Sequence, residues 1–237
     1  MSKMYCWCMF SSIVNILFPV SCEQCNQKGA YLCDSCLGKC EKAKPYDQFA
    51  QGQGNMSAWA ASLFSYHDKI IKHSIWEIKY HGHFVVANAF GKRLAEAATK
   101  LLQNANNHNR SEIIIVPIPP SAVGKKKRGY NQAYIIARAL SDNFKLPDRA
   151  AATTKLMNNI LEKIKVTQKQ ATLNDRSVRL KNMDGAFGIS EKHTSLVEGK
   201  TIVLVDDVTT TGATLFDARR ALYEAGAHEV VAVTIAH

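Results

Sequence analysis

Two adjacent acidic residues, Asp206 and Asp207, follow the apolar run at residues 201–205 and precede a hydroxyl-rich turn. Such a run predicts a buried strand, and the carboxyl end of a strand opens onto the ligand crevice of an α/β sheet. Carboxylates at that position can accept hydrogen bonds from the vicinal hydroxyls of a sugar. The acidic pair therefore predicts a site for a sugar diol.

The turn after the acidic pair has the composition of a phosphate site. A helix is predicted to begin just after Gly212, and the backbone N–H groups of a helix N-terminus bind phosphate monoesters. Gly212 lets the backbone approach the ligand closely, and the threonines around it add hydroxyl donors. The predicted contacts in this turn are Thr209, Thr210, Thr211, Gly212, Ala213 and Thr214. The predicted ligand is a sugar with a phosphate at one end and a diol in the middle.

All seven cysteines lie within the first 40 residues. Four of them form two Cys-x-x-Cys pairs, whose thiolates can supply the tetrahedral sulfur ligands that Zn²⁺ prefers. These predicted ligands are Cys22, Cys25, Cys33 and Cys36. With all four positions filled, the metal would be structural. The alternatives are a redox pair or an iron–sulfur cluster, and Cys6, Cys8 or Cys40 could replace one ligand.

Strands that alternate with helices are predicted from residue 112 onward. Apolar runs predict strands at residues 113–116, 201–205 and 230–235, and apolar periodicity predicts helices at residues 131–140 and 213–225. Strand–helix–strand spacing of this kind indicates a parallel sheet with right-handed crossovers. The predicted fold class is α/β, a parallel sheet flanked by helices.

The predicted domains are an N-terminal helix with the four-cysteine module at residues 1–45 and an α/β domain at residues 46–237. Residues 41–55 are polar and predict a linker, and two helices are predicted at residues 70–78 and 84–102. The apolar residues 10–20 indicate either a bacterial export signal or a short amphipathic helix. We favour the helix, because Cys22 is already used by the metal module.

The chain carries a formal charge of +10, and this excess is clustered. Residues 69–110, 121–149 and 163–181 each carry a net +5, which predicts either phosphate-binding surfaces or solvated helix faces. A hydrophobic content of 46% argues against wholesale disorder. No apolar run reaches the roughly 20 residues that a membrane-spanning helix needs, so we expect a cytoplasmic protein without a membrane span.

The strand–turn–helix element resembles the 5-phosphoribosyl-1-pyrophosphate (PRPP) loop of the type I phosphoribosyltransferases. Four aliphatic residues, two acidic residues and Thr-Thr-Gly carry the resemblance, with Thr209 where an aliphatic residue is more usual. The chain as a whole resembles the ComF/GntX family of competence and DNA-utilisation proteins. The segments that carry this resemblance are Pro19 before the four-cysteine module, Lys79-Tyr80-His81-Gly82, residues 116–119, Arg128-Gly129-Tyr130-Asn131-Gln132, Gln170, Arg176 and Gly185-Ala186-Phe187. Asn182-Met183 departs from the family pattern.

The resemblance implies a small N-terminal zinc module, a type I phosphoribosyltransferase-like domain and roles for individual residues. Residues 119–129 would form the pyrophosphate loop, where Pro119, Lys125 and Arg128 would bind PRPP, with Lys126 and Lys127 nearby. Lys79 is either a second pyrophosphate ligand or an exposed lysine at a helix end. The implied catalytic residues are Asp206, Asp207, Arg128 and Lys79. Residues 165–176 would form a flap over the reacting carbon, or a plain surface loop.

The mechanism that the resemblance implies is transfer of ribose 5-phosphate with release of pyrophosphate, assisted by Mg²⁺. Many relatives recognise a nucleobase through segments beyond the last core strand, whereas this sequence ends at His237. We therefore expect an acceptor pocket to come from residues 56–110, where no base-reading constellation is evident. The four histidines of this region, His67, His73, His81 and His83, are interpreted as surface or structural residues.

Two functional hypotheses remain open at this point. The first is a PRPP-binding competence protein that handles incoming single-stranded DNA, with proteins of the competence machinery as partners. The second is an active phosphoribosyltransferase of unknown acceptor. Basic windows interleaved with Tyr80, Phe84 and Tyr130 favour a groove that follows a nucleic-acid backbone, although aromatic residues at such spacings are more often core.

Overall fold

The computed structural model describes residues 20–46, 56–104, 112–145, 153–163 and 185–237. The chain forms two compact units, Met1–Cys40 and Glu41–His237, and the division predicted at residue 45 stays a prediction. Several predicted features lie outside the described residues: the N-terminal helix with Cys6 and Cys8, most of the linker, and the flap with Gln170 and Arg176.

In the first unit, an antiparallel bridge between Ser21 and Lys28 precedes a six-residue helix, α1 (Asp34–Lys39). Among the described residues of this unit, 20–40, the buried apolar side chains are Leu32 and Leu37, together with cysteine side chains. A metal cross-link would add to the limited stabilisation that these few side chains provide.

The second unit contains a five-stranded sheet in which every pair of neighbouring strands is parallel. Its strands, in chain order, are β1 (Ala60–Phe64), β2 (Glu112–Pro117), β3 (Thr153–Leu156), β6 (Thr201–Val208) and β7 (Glu229–Ala236). In space the order is β1-β7-β6-β2-β3, so the two strands with the longest buried runs, β6 and β7, lie inside the sheet. The chain also forms an antiparallel two-stranded hairpin of β4 (Leu161–Lys163) and β5 (Phe187–Ile189).

Helices cover both faces of the sheet. The remaining helices are α2 (Lys69–His81), α3 (Phe84–Asn104), α4 (Ala122–Arg128), α5 (Gln132–Asn143), α6 (Glu191–Val197) and α7 (Ala213–Glu224). On one face, α3 and α5 pack against each other and against the central strands. Their backbones approach so closely that a Cβ built on Gly91 of α3 would lie 2.4 Å from the carbonyl oxygen of Ala139. On the other face, α7 and the β4–β5 hairpin cover Ile114, Ile202 and Val230.

The predicted α/β class, a parallel sheet flanked by helices, is confirmed. The element boundaries differ in three informative places. The Lys79–Gly82 segment does not break the helix, because α2 continues to His81 and ends at Gly82, whose φ of 65° suits a left-handed cap. Strand β6 continues through Asp206 and Asp207 to Val208, so the acidic pair belongs to the strand itself. Helix α4 occupies most of the segment predicted as a pyrophosphate loop.

Within the described part of the chain, no helix combines the length and the apolar character that crossing a membrane requires.

Candidate functional site

The acidic pair lies where β6 extends beyond its neighbour β2. The last pair between these strands joins Pro117 to Val205, and β6 continues for three more residues against β7, which leaves the β2 side of Asp206 and Asp207 without a paired strand. Each carboxylate accepts a hydrogen bond from the next backbone N–H, at 2.8 Å, from Asp207 N and from Val208 N. These bonds hold both side chains against the strand end.

Lys79, on the last turn of α2, reaches this strand end. Its Nζ lies 2.8 Å from Oδ2 of Asp207, and the two side chains are 25% and 7% exposed. The structure therefore brings together three of the residues predicted to be catalytic, Lys79, Asp206 and Asp207. Burial and the adjacent charge of Asp207 raise the pKa of Asp206 well above its ordinary value, while Lys79 opposes that rise. A raised pKa means that Asp206 loses its proton less readily than an ordinary aspartate, so Lys79 chiefly compensates the charge of Asp207.

The turn after β6 separates its threonines by exposure. Thr209 is buried and its N–H donates to the carbonyl of Ala236, while Thr210 and Thr211 are exposed. Burial explains why an aliphatic residue is the usual choice at position 209 in the pattern that the sequence resembles. Gly212 has φ 76° and immediately precedes α7.

A side chain at position 212 would collide with the protein itself. A Cβ built on Gly212 would lie 2.6 Å from Sδ of the buried Met56, so the inner side of the turn is closely packed against Met56. Close packing under the turn and the left-handed backbone together explain why glycine occupies this position. On the exposed side of the turn, the N–H of Ala213 donates to Oγ1 of Thr211 at 3.4 Å, and the N–H groups that follow it in the first turn of α7 are of the kind that binds an anion.

The basic residues of the predicted pyrophosphate loop lie on α4. Ser121 caps this helix through a 3.0 Å hydrogen bond from Gly124 N, and Gly129, with φ 76°, ends it. Lys125, Lys126 and Lys127 are exposed, and Pro119 before the helix is partly buried. Among the described residues, no hydrogen bond or ion pair joins α4 to Asp206 or Asp207.

Arg128 is the basic residue of α4 whose position is most constrained. Its guanidinium lies against Gly124, where an added Cβ would come within 2.5 Å of an Nη atom. Its Nε is buried and has no hydrogen-bond partner within the described ranges. A buried donor without a partner is costly, so an anion at this point would be stabilised by it.

The sequence motif around Tyr130 has a positioning role that the spacing of residues did not predict. Tyr130 donates a hydrogen bond from its hydroxyl to the carbonyl of Ile78, at 3.0 Å, and its ring lies 3.2 Å from a Cβ built on Gly82. Asn131 donates to the carbonyl of Ile118, at 3.1 Å, and also caps α5. Tyr130 therefore ties the end of α2, which carries Lys79, to the segment just after Arg128, and Asn131 holds that segment to the residue after β2.

Lys163, at the end of β4, is a further cation near the acidic pair. Its Nζ lies 5.3 Å from the ring centre of Phe187. Burial lowers the pKa of Lys163, and the negative charge of Asp206 opposes this shift. Phe187 is itself anchored, because its N–H donates to the buried carboxylate of Asp217 on α7 at 2.8 Å. No sequence motif signalled Lys163, since its proximity depends on the hairpin folding over α7.

The four predicted metal ligands converge in the first unit. The Sγ atoms of Cys22, Cys25, Cys33 and Cys36 all lie within 4.8 Å of one another, and those of Cys25 and Cys33 are 3.6 Å apart. A tetrahedral zinc site with Zn–S bonds of about 2.3 Å requires sulfur atoms about 3.8 Å apart. Cys40 does not join them, because its thiol donates to the carbonyl of Cys36.

The electrostatics of this cluster suit a cation. Burial acts to raise the pKa of Cys22, but backbone hydrogen bonds, first among them from Cys33, lower it to about 6. Hydrogen bonds to Cys33 and Cys25, with burial, raise the pKa of Cys36 to about 12. Four such thiols cannot all be ionised without a positive charge between them, and a divalent metal supplies that charge. The residues present fit a metal ion.

Comparisons with known proteins show which domain family and which individual proteins this chain resembles. The family model described as "Phosphoribosyl transferase domain" matches residues 88–237. The chain is 28% identical to "Competence protein ComFC" of Bacillus subtilis (strain 168) over 165 residues, 70% of this chain and 58% of that protein. It is 26% identical to "Competence protein F" of Haemophilus influenzae over 214 residues, 90% of this chain and 82% of that protein. The match thus spans less than two thirds of the Bacillus subtilis protein.

Among solved structures, a hypoxanthine phosphoribosyl transferase of Trypanosoma cruzi is similar over 62% of this chain and 63% of its own, with a TM-score of 0.36 and 11% identity.

Proposed function

This chain belongs to the phosphoribosyl transferase domain family, and on that premise we propose that it binds PRPP at the carboxyl ends of β2 and β6. We further propose that it acts in natural competence, in the handling of incoming single-stranded DNA. The observation that carries the PRPP proposal is the acidic pair at the end of β6, followed directly by an open helix N-terminus. The role in competence is supported by the names of the two relatives.

The ligand would lie along this edge of the sheet. Its 5-phosphate would bind the N–H groups and hydroxyls of the turn before α7, and Asp206 and Asp207 would accept hydrogen bonds from the ribose hydroxyls. Lys79 would hold Asp207 in place and lie beside the diphosphate. The diphosphate would be neutralised by Arg128 and Lys125, with Pro119 shaping the approach to them. The proposed PRPP contacts are Asp206, Asp207, Thr210, Thr211, Gly212, Ala213, Thr214, Pro119, Lys125 and Arg128. Thr209, also predicted from the sequence as a contact, is buried with its N–H donated to the carbonyl of Ala236, and its proposed role is to support the turn.

Mg²⁺ fits the donor set at this edge. The raised pKa of Asp206 reflects burial and a neighbouring carboxylate, a situation that a divalent cation relieves. When bound with PRPP, the ion would neutralise diphosphate charge. Asp206 and Asp207 would orient the ribose, and Arg128 would stabilise charge on the leaving diphosphate.

The four-cysteine cluster is proposed to hold one structural Zn²⁺. Purified protein should contain about one zinc per chain, and Cys25→Ser or Cys33→Ser should lower the content by breaking the tetrahedral set. Metal analysis should be paired with Cys40→Ser, which leaves the four ligands intact and should keep full occupancy. Full zinc content after replacement of all four ligands would contradict the assignment. Because thiolate ligands persist in reducing surroundings, we propose a cytoplasmic location.

Thermal unfolding tests the PRPP site. At a PRPP concentration of 100 times Kd, binding stabilises the folded state by about 2.7 kcal/mol, which corresponds to roughly 5–10 °C in Tm for a chain of this size. Asp206→Asn with Asp207→Asn should abolish the shift while keeping side-chain shape. Ribose 5-phosphate should give a smaller shift, because it lacks the diphosphate. A shift of equal size with inorganic phosphate would show a general anion site instead.

An active phosphoribosyltransferase is the second candidate, favoured by the acidic pair and the lysine that meet at the end of β6. Release of pyrophosphate from PRPP, measured with and without nucleobases, amines or single-stranded DNA as acceptors, distinguishes the candidates. Turnover that depends on an acceptor and is lost in the double asparagine variant supports the transferase. PRPP binding without turnover supports a binding protein.

A further inference from the structure

The exposed face of α2 carries an unbroken series of ring contacts. We call it the aromatic ladder; its members are His73, Trp76, Tyr80, His81 and His83. Trp76 contacts three of the others, with ring centres 5.9 Å from His73, 5.7 Å from Tyr80 and 4.8 Å from His81. The His81 and His83 rings stack with centres 5.4 Å apart. Three of the histidines interpreted from the sequence as surface or structural residues therefore form one surface with Trp76 and Tyr80.

This surface is exposed although its rings are large and apolar. Trp76 is 47% and Tyr80 46% exposed, and they are among the few large apolar side chains so exposed in the described residues. The core under α2 is filled by other residues, Ile71, Ile75 and Ile78, so the ladder is not needed to cover it. Clustered exposed rings with polar groups around them are typical of a binding surface.

The charge around the ladder identifies the chemistry of a partner. Lys127 of α4 places its Nζ 5.6 Å from the ring centre of Tyr80, next to the exposed Lys125 and Lys126. The acidic member of the area, Glu77, is largely buried, and its carboxylate faces Nδ1 of His83 at 2.7 Å. The accessible surface thus combines stacking faces with cations, the combination by which proteins bind single-stranded nucleic acids.

From this arrangement we infer that the aromatic ladder and Lys127 form a stacking site for single-stranded nucleic acid, with bases on the rings and a phosphate at the lysine. The seven-residue rise from His73 to Tyr80 is about 11 Å, which accommodates two or three stacked bases. The inference deepens the proposed DNA-handling function and rests on it.

The ladder adjoins the proposed PRPP site without sharing its residues. Tyr80 follows Lys79, which contacts Asp207, and Lys127 precedes Arg128, whose buried Nε has no protein partner among the described residues. The last turns of α2 and α4 therefore each place one residue at the proposed PRPP site and an adjacent residue at the ladder. In this arrangement Lys127 would contact nucleic acid and Arg128 would contact the diphosphate.

The test compares a 12-nucleotide oligothymidylate with an abasic strand of equal length and charge, both bound to the full chain. We expect Trp76→Ala and Tyr80→Ala each to weaken oligothymidylate binding about tenfold, the equivalent of one lost base–aromatic stack, without changing the salt dependence. Lys127→Ala should instead flatten the plot of log affinity against log salt by about 0.7. Leu196→Ala, which removes an exposed apolar side chain of α6, should leave binding unchanged.

The controls separate failure of the ladder from failure of the proposed function. The PRPP-induced rise in Tm should persist in Trp76→Ala and Tyr80→Ala, which shows that these variants are folded. If the wild-type protein binds oligothymidylate and both ring variants bind equally well, or if the abasic strand binds as tightly, the ladder is refuted and DNA handling stands. If the wild-type protein binds neither strand, DNA handling fails as well. Tighter binding to anionic phosphatidylglycerol vesicles that depends on Trp76 would overturn the inference in favour of a membrane surface.

Discussion

Loss of the lysine that faces Asp207 is the most direct test of the site geometry. In Lys79→Met the aliphatic stem is retained, but the ammonium group 2.8 Å from the Asp207 carboxylate is removed. The Asp207 side chain is 7% exposed, and its Oδ1 accepts a hydrogen bond from the N–H of Val208. The substitution therefore leaves a buried negative charge with one backbone donor.

The magnitude follows from burial. Breaking a buried ion pair by removing one partner costs about 3–5 kcal/mol, because the remaining charge is uncompensated. Lys79 keeps a quarter of its side chain exposed, so water replaces part of the interaction and the lower end, about 3 kcal/mol, is expected. For a chain of this length that free energy corresponds to a fall in Tm of roughly 6–12 °C.

A double-mutant cycle measures the pair directly. The cycle combines Lys79→Met with Asp207→Asn, which removes the charge and keeps the shape, and follows unfolding of the second unit without PRPP. We expect the double variant to be more stable than Lys79→Met alone, with a coupling energy of about 2 kcal/mol. Lys92→Met, at an exposed lysine of α3, is the control and should change Tm little.

Additive effects in this cycle would refute the argument. A coupling energy below about 0.5 kcal/mol would mean that Lys79 and Asp207 do not depend on each other in solution. Lys79 would then be interpreted as an exposed lysine at a helix end. If the coupling energy is about 2 kcal/mol but PRPP raises the Tm of Lys79→Met as much as that of the wild type, the ion pair is supported and Lys79 is not a diphosphate contact.

Two further predictions concern stability away from the site. Gly91→Ala should destabilise the second unit by about 2 kcal/mol in denaturant unfolding, because its Cβ would lie 2.4 Å from the backbone oxygen of Ala139, while Gly38→Ala, with open space around it, should be neutral or stabilising. Hydrogen bonds from Lys155 and a second lysine lower the pKa of Glu112, so its stabilising effect is present above the unfolded-state pKa and is lost as pH falls through the folded-state pKa. Glu112→Gln should therefore destabilise at pH 7, and the loss should shrink progressively as the pH falls below the ordinary pKa of glutamate; a loss that does not change with pH would exclude the linkage.

The helices and central strands were predictable because their signals are local. Residues 113–116, 201–205 and 230–235 are apolar runs too short for a helix, and each lies within an observed strand. Gly82 and Gly226, both with positive φ, follow the observed helices α2 and α7, and glycine at such positions is a local signal of a helix end. Such signals depend only on neighbouring residues, so they do not need the rest of the fold.

The elements missed from the sequence are those whose stability comes from other elements. Strand β1 has three partly exposed residues between buried ends, and β3 alternates exposed and half-buried positions at the sheet edge. Strands β4 and β5 have three residues each and are separated by more than 20 residues in sequence. Short strands of mixed polarity are fixed by their pairing partners, which local patterns do not contain.

The sequence by itself determined the α/β class, the four-cysteine cluster and the acidic pair before a hydroxyl-rich turn, because each is written in adjacent or closely spaced residues. The tertiary structure decided which distant side chains meet. It placed Lys79 on Asp207 across 128 positions, tied Tyr130 to Ile78, and brought Lys127 over Tyr80 to complete the aromatic ladder. Contacts of this kind arise when helices pack on the sheet, and a helix's direction and rotation follow from the whole core rather than from its own residues.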